Sequence, residues 1–190
     1  MGLGETTPKG PLKLTRTVVL VGMMGAGKTA IGRALAGRLD VAFEDSDAEI
    51  VAASKLAIAE IFDRFGEPFF REKEGQIIAR LLEGPPCVLS TGGGAWLASD
   101  NRQMIGARAA AVWLKADLDL LWARVRHKDT RPLLRTSDPY ATLAALLQAR
   151  TPAYEQAEFV VQARPEWSID QTTDVVMECL FQAGVLREAA

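Results

Sequence analysis

Short apolar runs and longer stretches of helical periodicity take turns along this chain. The apolar runs fall at 18–21, 41–44, 87–90, 110–114 and 159–162. Runs of this length predict strands. Between them, Ile31, Leu35 and Leu39 recur at helical spacing, as do Ile77, Ile78, Leu81 and Leu82 before a Gly84-Pro85-Pro86 stop. Asp117 is placed to cap a helix carrying Leu118, Leu121 and Val125, and Ser168 one carrying Val175, Val176 and Leu180. Strands apolar on consecutive positions, alternating with helices, predict a parallel sheet covered on both faces. No repeat or linker divides the pattern, and 190 residues suit one domain with a sizeable core. Residues 1–15 read as a flexible tail and 16–190 as the domain. One segment breaks the alternation: RHKDTRPLLRTSDP, residues 126–139, is charged and proline-bearing between two helical patterns, and predicts a mobile loop.

Charge narrows the choice of partner. A formal net charge of −2 gives no broad field for nucleic acid or an anionic membrane, so any anion site must be built locally. No apolar run approaches the ~20 residues of a membrane-spanning helix. The first fifteen residues lack the apolar stretch of a secretory signal, so the cytoplasm is the expected compartment. Cys87 and Cys179 sit in apolar contexts without metal-ligand spacing and read as buried thiols.

GMMGAGKT, residues 22–29, supplies the local anion site. It fits G-x-x-x-x-G-K-[ST] between a strand and a helix. Glycines let the backbone take positive φ and approach a ligand closely, and successive N–H groups then form an anion nest. The helix that follows adds the positive end of its dipole. Lys28 is a mobile charge for the β- and γ-phosphates of a nucleotide, and Thr29 is a hydroxyl ligand for Mg²⁺. A nucleotide-dependent kinase of a small molecule suits a chain of this size.

The second substrate must be read elsewhere. FEDSD places Asp45 and Asp47 at the carboxyl end of the second strand, the edge where ligands of open α/β sheets collect. One carboxylate can hold Mg²⁺ through water while the other accepts a hydrogen bond from a substrate hydroxyl. In GEPFFREKEG, Pro68 marks a helix start, and Arg71 and Glu74 share a helical face, so a braced guanidinium can grip a carboxylate. VLSTGGG ends the third strand in Gly92, Gly93 and Gly94, where bare N–H groups can touch a ligand and Ser90 can reach a metal-bound water. Arg131, in the mobile loop, is placed to fold over a transferring phosphate. Arg150, in RTPAY just after an apolar helix, can join Arg71 on an anionic acceptor.

In this order and spacing, the P-loop, D-S-D, IFDRFGEPFFREKE, STGGG, RPLL and R-x-P-x-Y resemble the shikimate kinase family from about residue 17 to 183. The resemblance implies a three-layer α/β/α P-loop kinase of the nucleoside-monophosphate-kinase type, with a central five-stranded parallel sheet and a mobile lid at about 126–139. It implies transfer of the ATP γ-phosphoryl group to the 3-hydroxyl of shikimate on the way to chorismate, with Mg²⁺, as a monomer. By the same resemblance Gly25, Ala26, Gly27, Lys28, Thr29 and Ala30 bind ATP, with Arg131 from the lid. Arg124 or Arg126, together with Pro165, flanks adenine. Asp45, Thr29 and Ser90 serve the metal, and Asp47 binds the acceptor hydroxyls and is the candidate base. Phe62, Phe70, Arg71, Gly92, Gly93, Gly94 and Arg150 form the rest of the acceptor pocket. Two departures from the family pattern stand out. Ala30 replaces a second hydroxyl, which predicts weaker nucleotide binding, and the lid segment 127–130 is short, with His127 expected to face solvent. A gluconate-kinase-like enzyme shares the P-loop and an acidic acceptor side but not this ordered set. A non-catalytic sensor would be expected to have lost Lys28, Asp47 or Arg131, and all three are present.

Overall fold

The computed structural model describes residues 10–127 and 132–189. Among the described residues, seven strands and seven helices follow one another as β1 (Leu12–Leu14), β2 (Val18–Val21), α1 (Lys28–Leu39), β3 (Phe43–Asp45), α2 (Ser46–Ser54), α3 (Ile58–Leu82), β4 (Val88–Ser90), α4 (Ser99–Arg108), β5 (Ala110–Lys115), α5 (Leu118–Val125), α6 (Pro139–Tyr154), β6 (Phe159–Gln162), α7 (Ile169–Gln182) and β7 (Leu186–Glu188). Two short 3₁₀ turns, Ala95–Leu97 and Pro132–Leu134, precede α4 and α6.

Five strands form the predicted sheet, in the order β3-β4-β2-β5-β6. Every neighbouring pair is parallel. β2 lies at the centre, and all four of its residues are buried, as a strand covered on both faces requires. Helices α1 and α7 pack together on one side, while α3 packs on α4 and α5 on α6. Chain order departs from strand order between β2 and its two neighbours β4 and β5. A switch point of this kind opens a crevice at the carboxyl ends of the strands.

The strand expected at 41–44 begins two residues later. Asp40 ends α1 in the left-handed region at φ 52°, and the Val41 N–H still bonds the helix carbonyl of Ala36 at 3.1 Å. Within the segment 1–15 expected as a tail, Leu12–Leu14 forms a strand that pairs antiparallel with Leu186–Glu188, and Leu14 is buried. R-T-P-A-Y, expected after a helix, is instead the last turn of α6.

α3 is broken at Gly66, which sits at φ 80° and ψ 170°, and Pro68 restarts the helix. The apolar interior has two parts. The main core surrounds the sheet, whereas Ile50, Ile61 and Phe70 form a separate small cluster between α2 and α3, flanked by Leu56, Ile58, Phe62 and Ile77.

Candidate active site

A cleft of about 440 Å³ runs along the carboxyl edge of the sheet. Its floor is the P-loop. Gly22, Gly25 and Gly27 take φ values of 139°, 85° and 100°, which only glycine adopts freely. A Cβ on Gly25 would also lie 2.8 Å from the Val125 side chain, so α5 can pack directly on the loop. α1 starts at Lys28, leaving the positive end of its dipole at the cleft. The Lys28 ammonium donates to the Gly22 carbonyl at 2.7 Å and the Met23 carbonyl at 3.1 Å. It thus lies folded across the mouth of its own nest.

β3 delivers the carboxylates. Asp45 caps α2: its Oδ1 accepts from the N–H groups of Asp47 at 3.1 Å and Ala48 at 3.3 Å. Its Oδ2 accepts from the Thr29 hydroxyl at 3.5 Å, joining the acidic strand end to the P-loop. Asp47, in the first turn of α2, lines the same cleft, as does the buried Ser90 at the end of β4.

None of the three consecutive glycines has positive φ, and at Gly92 and Gly94 the missing side chain makes room. A Cβ on Gly92 would stand 2.6 Å from Asp47 Oδ1 and 3.1 Å from Glu74 Oε1, and one on Gly94 would stand 2.7 Å from Arg71 Nη1. The Gly92 N–H donates to the buried Ser46 hydroxyl at 3.2 Å. Arg71 lies against Gly94 and over the Phe70 ring at 5.2 Å, and Phe70 stacks on Phe62 with centroids 4.6 Å apart. Arg150 approaches the same loop from α6, its Nη1 3.7 Å from a Cβ position on Gly93. The two arginines expected on an acceptor carboxylate therefore meet at one glycine loop.

Glu74 is the brace for Arg71. It is buried, and its Oε2 accepts from Arg71 Nη1 at 2.7 Å, while Glu67 accepts from Nε and Nη2 at 3.2 Å. Glu74 Oε1 has no hydrogen-bond partner among the described residues. Burial raises the Glu74 carboxyl above the usual carboxylate range, the Arg71 bond and charge oppose this, and nearby Asp47 and Glu67 add to the rise. Burial also pulls on the Arg71 guanidinium, but Glu74 and Glu67 more than restore it, so its pKa stays raised.

Of the two arginines expected beside adenine, one lines the cleft. Arg124 lines the cleft and donates to the carbonyls of Gly25 at 3.2 Å and Ala26 at 3.3 Å, whereas Arg126 is exposed at the end of α5 and does not line it. Burial lowers the Arg124 pKa. Pro165 is exposed and outside the cleft. Trp167, with Ser168, Ile169 and Thr172 from the start of α7, lines the cleft as well. Trp167 was missed in the sequence because one indole in a loop carries no periodicity. Gly25, Gly27, Thr29 and Ala30 line the cleft as expected, and Ala26 is buried just beneath it. His127 is exposed. Arg131 lies outside the described residues.

This sheet order, with a phosphate nest beside paired carboxylates at the switch point, defines a P-loop kinase acting on a small molecule. The shikimate kinase family model matches residues 24–181. The chain is 61% identical to shikimate kinase of Ruegeria pomeroyi over 176 residues, covering 93% of this chain and 90% of that one. It is also 61% identical to shikimate kinase of Cereibacter sphaeroides, covering 88% and 84%. Among solved structures, shikimate kinase from Acinetobacter baumannii in complex with shikimate superposes with a TM-score of 0.81 at 34% identity, covering 88% of this chain and 94% of that one. The chain belongs to the shikimate kinase family. It is an ATP-dependent kinase, a phosphotransferase with an alcohol acceptor.

Proposed function

We propose that this cleft transfers the ATP γ-phosphoryl group to the 3-hydroxyl of shikimate, giving shikimate 3-phosphate and ADP for chorismate synthesis. The observation that carries the reading is the meeting of Arg71, Arg150 and Asp47 at the Gly92–Gly94 loop, beside the P-loop. Arg71 and Arg150 hold the carboxylate of shikimate, and the Phe62–Phe70 pair walls its ring. Asp47 accepts the proton of the 3-hydroxyl as that oxygen bonds to the γ-phosphorus. The bond from phosphorus to the β–γ bridging oxygen breaks, and ADP leaves with its electron pair. Lys28 exchanges its two loop carbonyls for phosphate oxygens and offsets their charge. Arg131 is proposed, from the family likeness alone, as a second cation over the phosphates. Arg124 borders the base.

Mg²⁺ fits these residues. The Thr29 hydroxyl and Asp45 carboxylate, 3.5 Å apart, and the Ser90 hydroxyl are hard oxygen donors. The described residues hold no cluster of three or more acidic, histidine or cysteine side chains that would cage an ion. Few protein ligands suit magnesium, which keeps several waters and binds substrate phosphates. Bound there, Mg²⁺ would neutralise charge on the β- and γ-phosphates. A monomer working in the cytoplasm completes the reading, and no helix among the described residues is long and apolar enough to cross a membrane.

The test is ADP release from ATP and Mg²⁺, with shikimate, with gluconate and with neither. Turnover should require shikimate. Turnover with gluconate alone would overturn the acceptor assignment.

A further inference from the structure

Tyr154 is quoted in the R-x-P-x-Y pattern, yet the chemistry above gives it no task. It is fully buried at the last turn of α6. Its hydroxyl donates to the Gly93 carbonyl at 2.8 Å and stands 3.9 Å from the Met23 sulfur of the P-loop. Its ring stacks on Trp113 of β5, with centroids 5.8 Å apart. The next residue of that strand, Leu114, presents its carbonyl 2.8 Å from a Cβ position on Gly22. One side chain thus touches the glycine loop and the P-loop, and leans on the strand that backs the P-loop. Arg150, one turn earlier on the same helix face, is close enough for its charge to act on the Tyr154 hydroxyl.

We propose that Tyr154 is a positioning residue that couples the nucleotide and acceptor halves of the cleft. The argument rests on the reading that the glycine loop holds the acceptor. In a trans peptide the C=O and the following N–H lie in one plane and point in opposite directions. With the Gly93 carbonyl held inward by Tyr154, the Gly94 N–H is turned away from the core, and Gly94 packs on the Arg71 guanidinium. A shift of the P-loop around phosphate reaches the same hydroxyl through Met23. Each ligand thereby fixes a contact that the other needs, and such coupling is reciprocal.

The test uses the full chain and Tyr154→Phe, which keeps the ring and removes the hydroxyl. Shikimate affinity is measured by calorimetry with and without saturating Mg-ADP, and ADP affinity with and without shikimate. In the wild type each ligand should tighten the other by about 5–150-fold. Tyr154→Phe should bring both ratios toward one by the same factor, with KM values rising more than kcat falls. A ratio unchanged in the variant overturns the proposal, as does equal weakening of both ligands with the ratio intact. In the wild type, hydrogen exchange at residues 22–27 should slow when shikimate alone is added, and absence of slowing also overturns it. Arg71→Leu separates the two readings. If that variant binds shikimate normally, the acceptor site is misassigned, whereas lost binding with a normal Tyr154→Phe ratio condemns only the coupling.

Discussion

Adding a single methyl group at Gly92 tests the placement of Asp47 directly. Gly92 does not need positive φ, so Gly92→Ala imposes no backbone strain there. The new Cβ would meet Asp47 Oδ1 at 2.6 Å and Glu74 Oε1 at 3.1 Å. Ordinary contact begins near 3.4 Å, so the Asp47 carboxylate must withdraw by roughly 0.8 Å. Its oxygens end a short movable side chain, so the fold can accommodate the change while the catalytic geometry absorbs it. Displacements of about 1 Å at reacting groups cost on the order of 10²-fold in rate. Gly92→Ala should therefore lower kcat/KM for shikimate by ~30–100-fold, or about 2–2.7 kcal/mol. KM for ATP should stay within about twofold of the wild type, and Tm within the few degrees expected of a loss near 1 kcal/mol. Steady-state kinetics varying each substrate in turn, with thermal unfolding alongside, gives all three numbers. Wild-type kcat/KM for shikimate would refute the claim that Asp47 must stand where it does. A collapse of Tm, with both substrates affected alike, would place the damage in the fold.

Three further expectations follow from the same geometry. Lys28→Ala removes the cation folded over the nest and should lower kcat by at least ~10²-fold, about 2.7 kcal/mol of transition-state stabilisation; near-normal turnover would sink the P-loop assignment. Asp45→Asn should be partly rescued by raising Mg²⁺ whereas Asp47→Asn, losing ~10²-fold or more, should not respond, and the opposite pattern in a magnesium titration would reverse the two roles. Burial raises the Glu74 carboxyl, so its contribution to stability is fully present below the unfolded value near 4.3 and is lost as pH rises through the higher folded value. The Tm difference between wild type and Glu74→Gln should accordingly shift against the wild type as pH rises above the unfolded value and through the raised folded one, and a constant difference would contradict this.

The sheet was legible because its strands are apolar at consecutive positions, and Val18 to Val21 could only be a buried strand. The P-loop was legible because chemistry dictates its spacing, and Lys28 and Thr29 line the cleft where that spacing puts them, with Asp45 of the next strand end beside Thr29. Ends and partnerships were harder. Nothing local announces that Leu12–Leu14 will pair with a strand more than 170 positions away. The triple glycine was expected for its exposed N–H groups. The structure adds that it admits the side chains of Asp47 and Arg71, and crowding between residues 45 and 23 positions apart leaves no local trace. Arg124 and Arg126 are two residues apart on one helix end. Only packing of α5 on the P-loop shows which of them turns inward.

The separate apolar cluster between α2 and α3 has an energetic consequence for the acceptor side. Residues 46–70 are anchored by a cluster of only three fully buried apolar side chains, apart from the main core. Burying three such side chains contributes roughly 5–9 kcal/mol before any entropy is charged against it. This segment is therefore expected to open independently of the sheet, as the least protected cooperative unit of the molecule. It also carries Asp47, Phe62 and Phe70, and Arg71 follows directly after it. A ligand bridging Arg71 to Arg150 on α6 ties this loosely held unit to the rigid one, so that resistance to proteolysis around Phe65 and Phe69 becomes a gauge of acceptor occupancy.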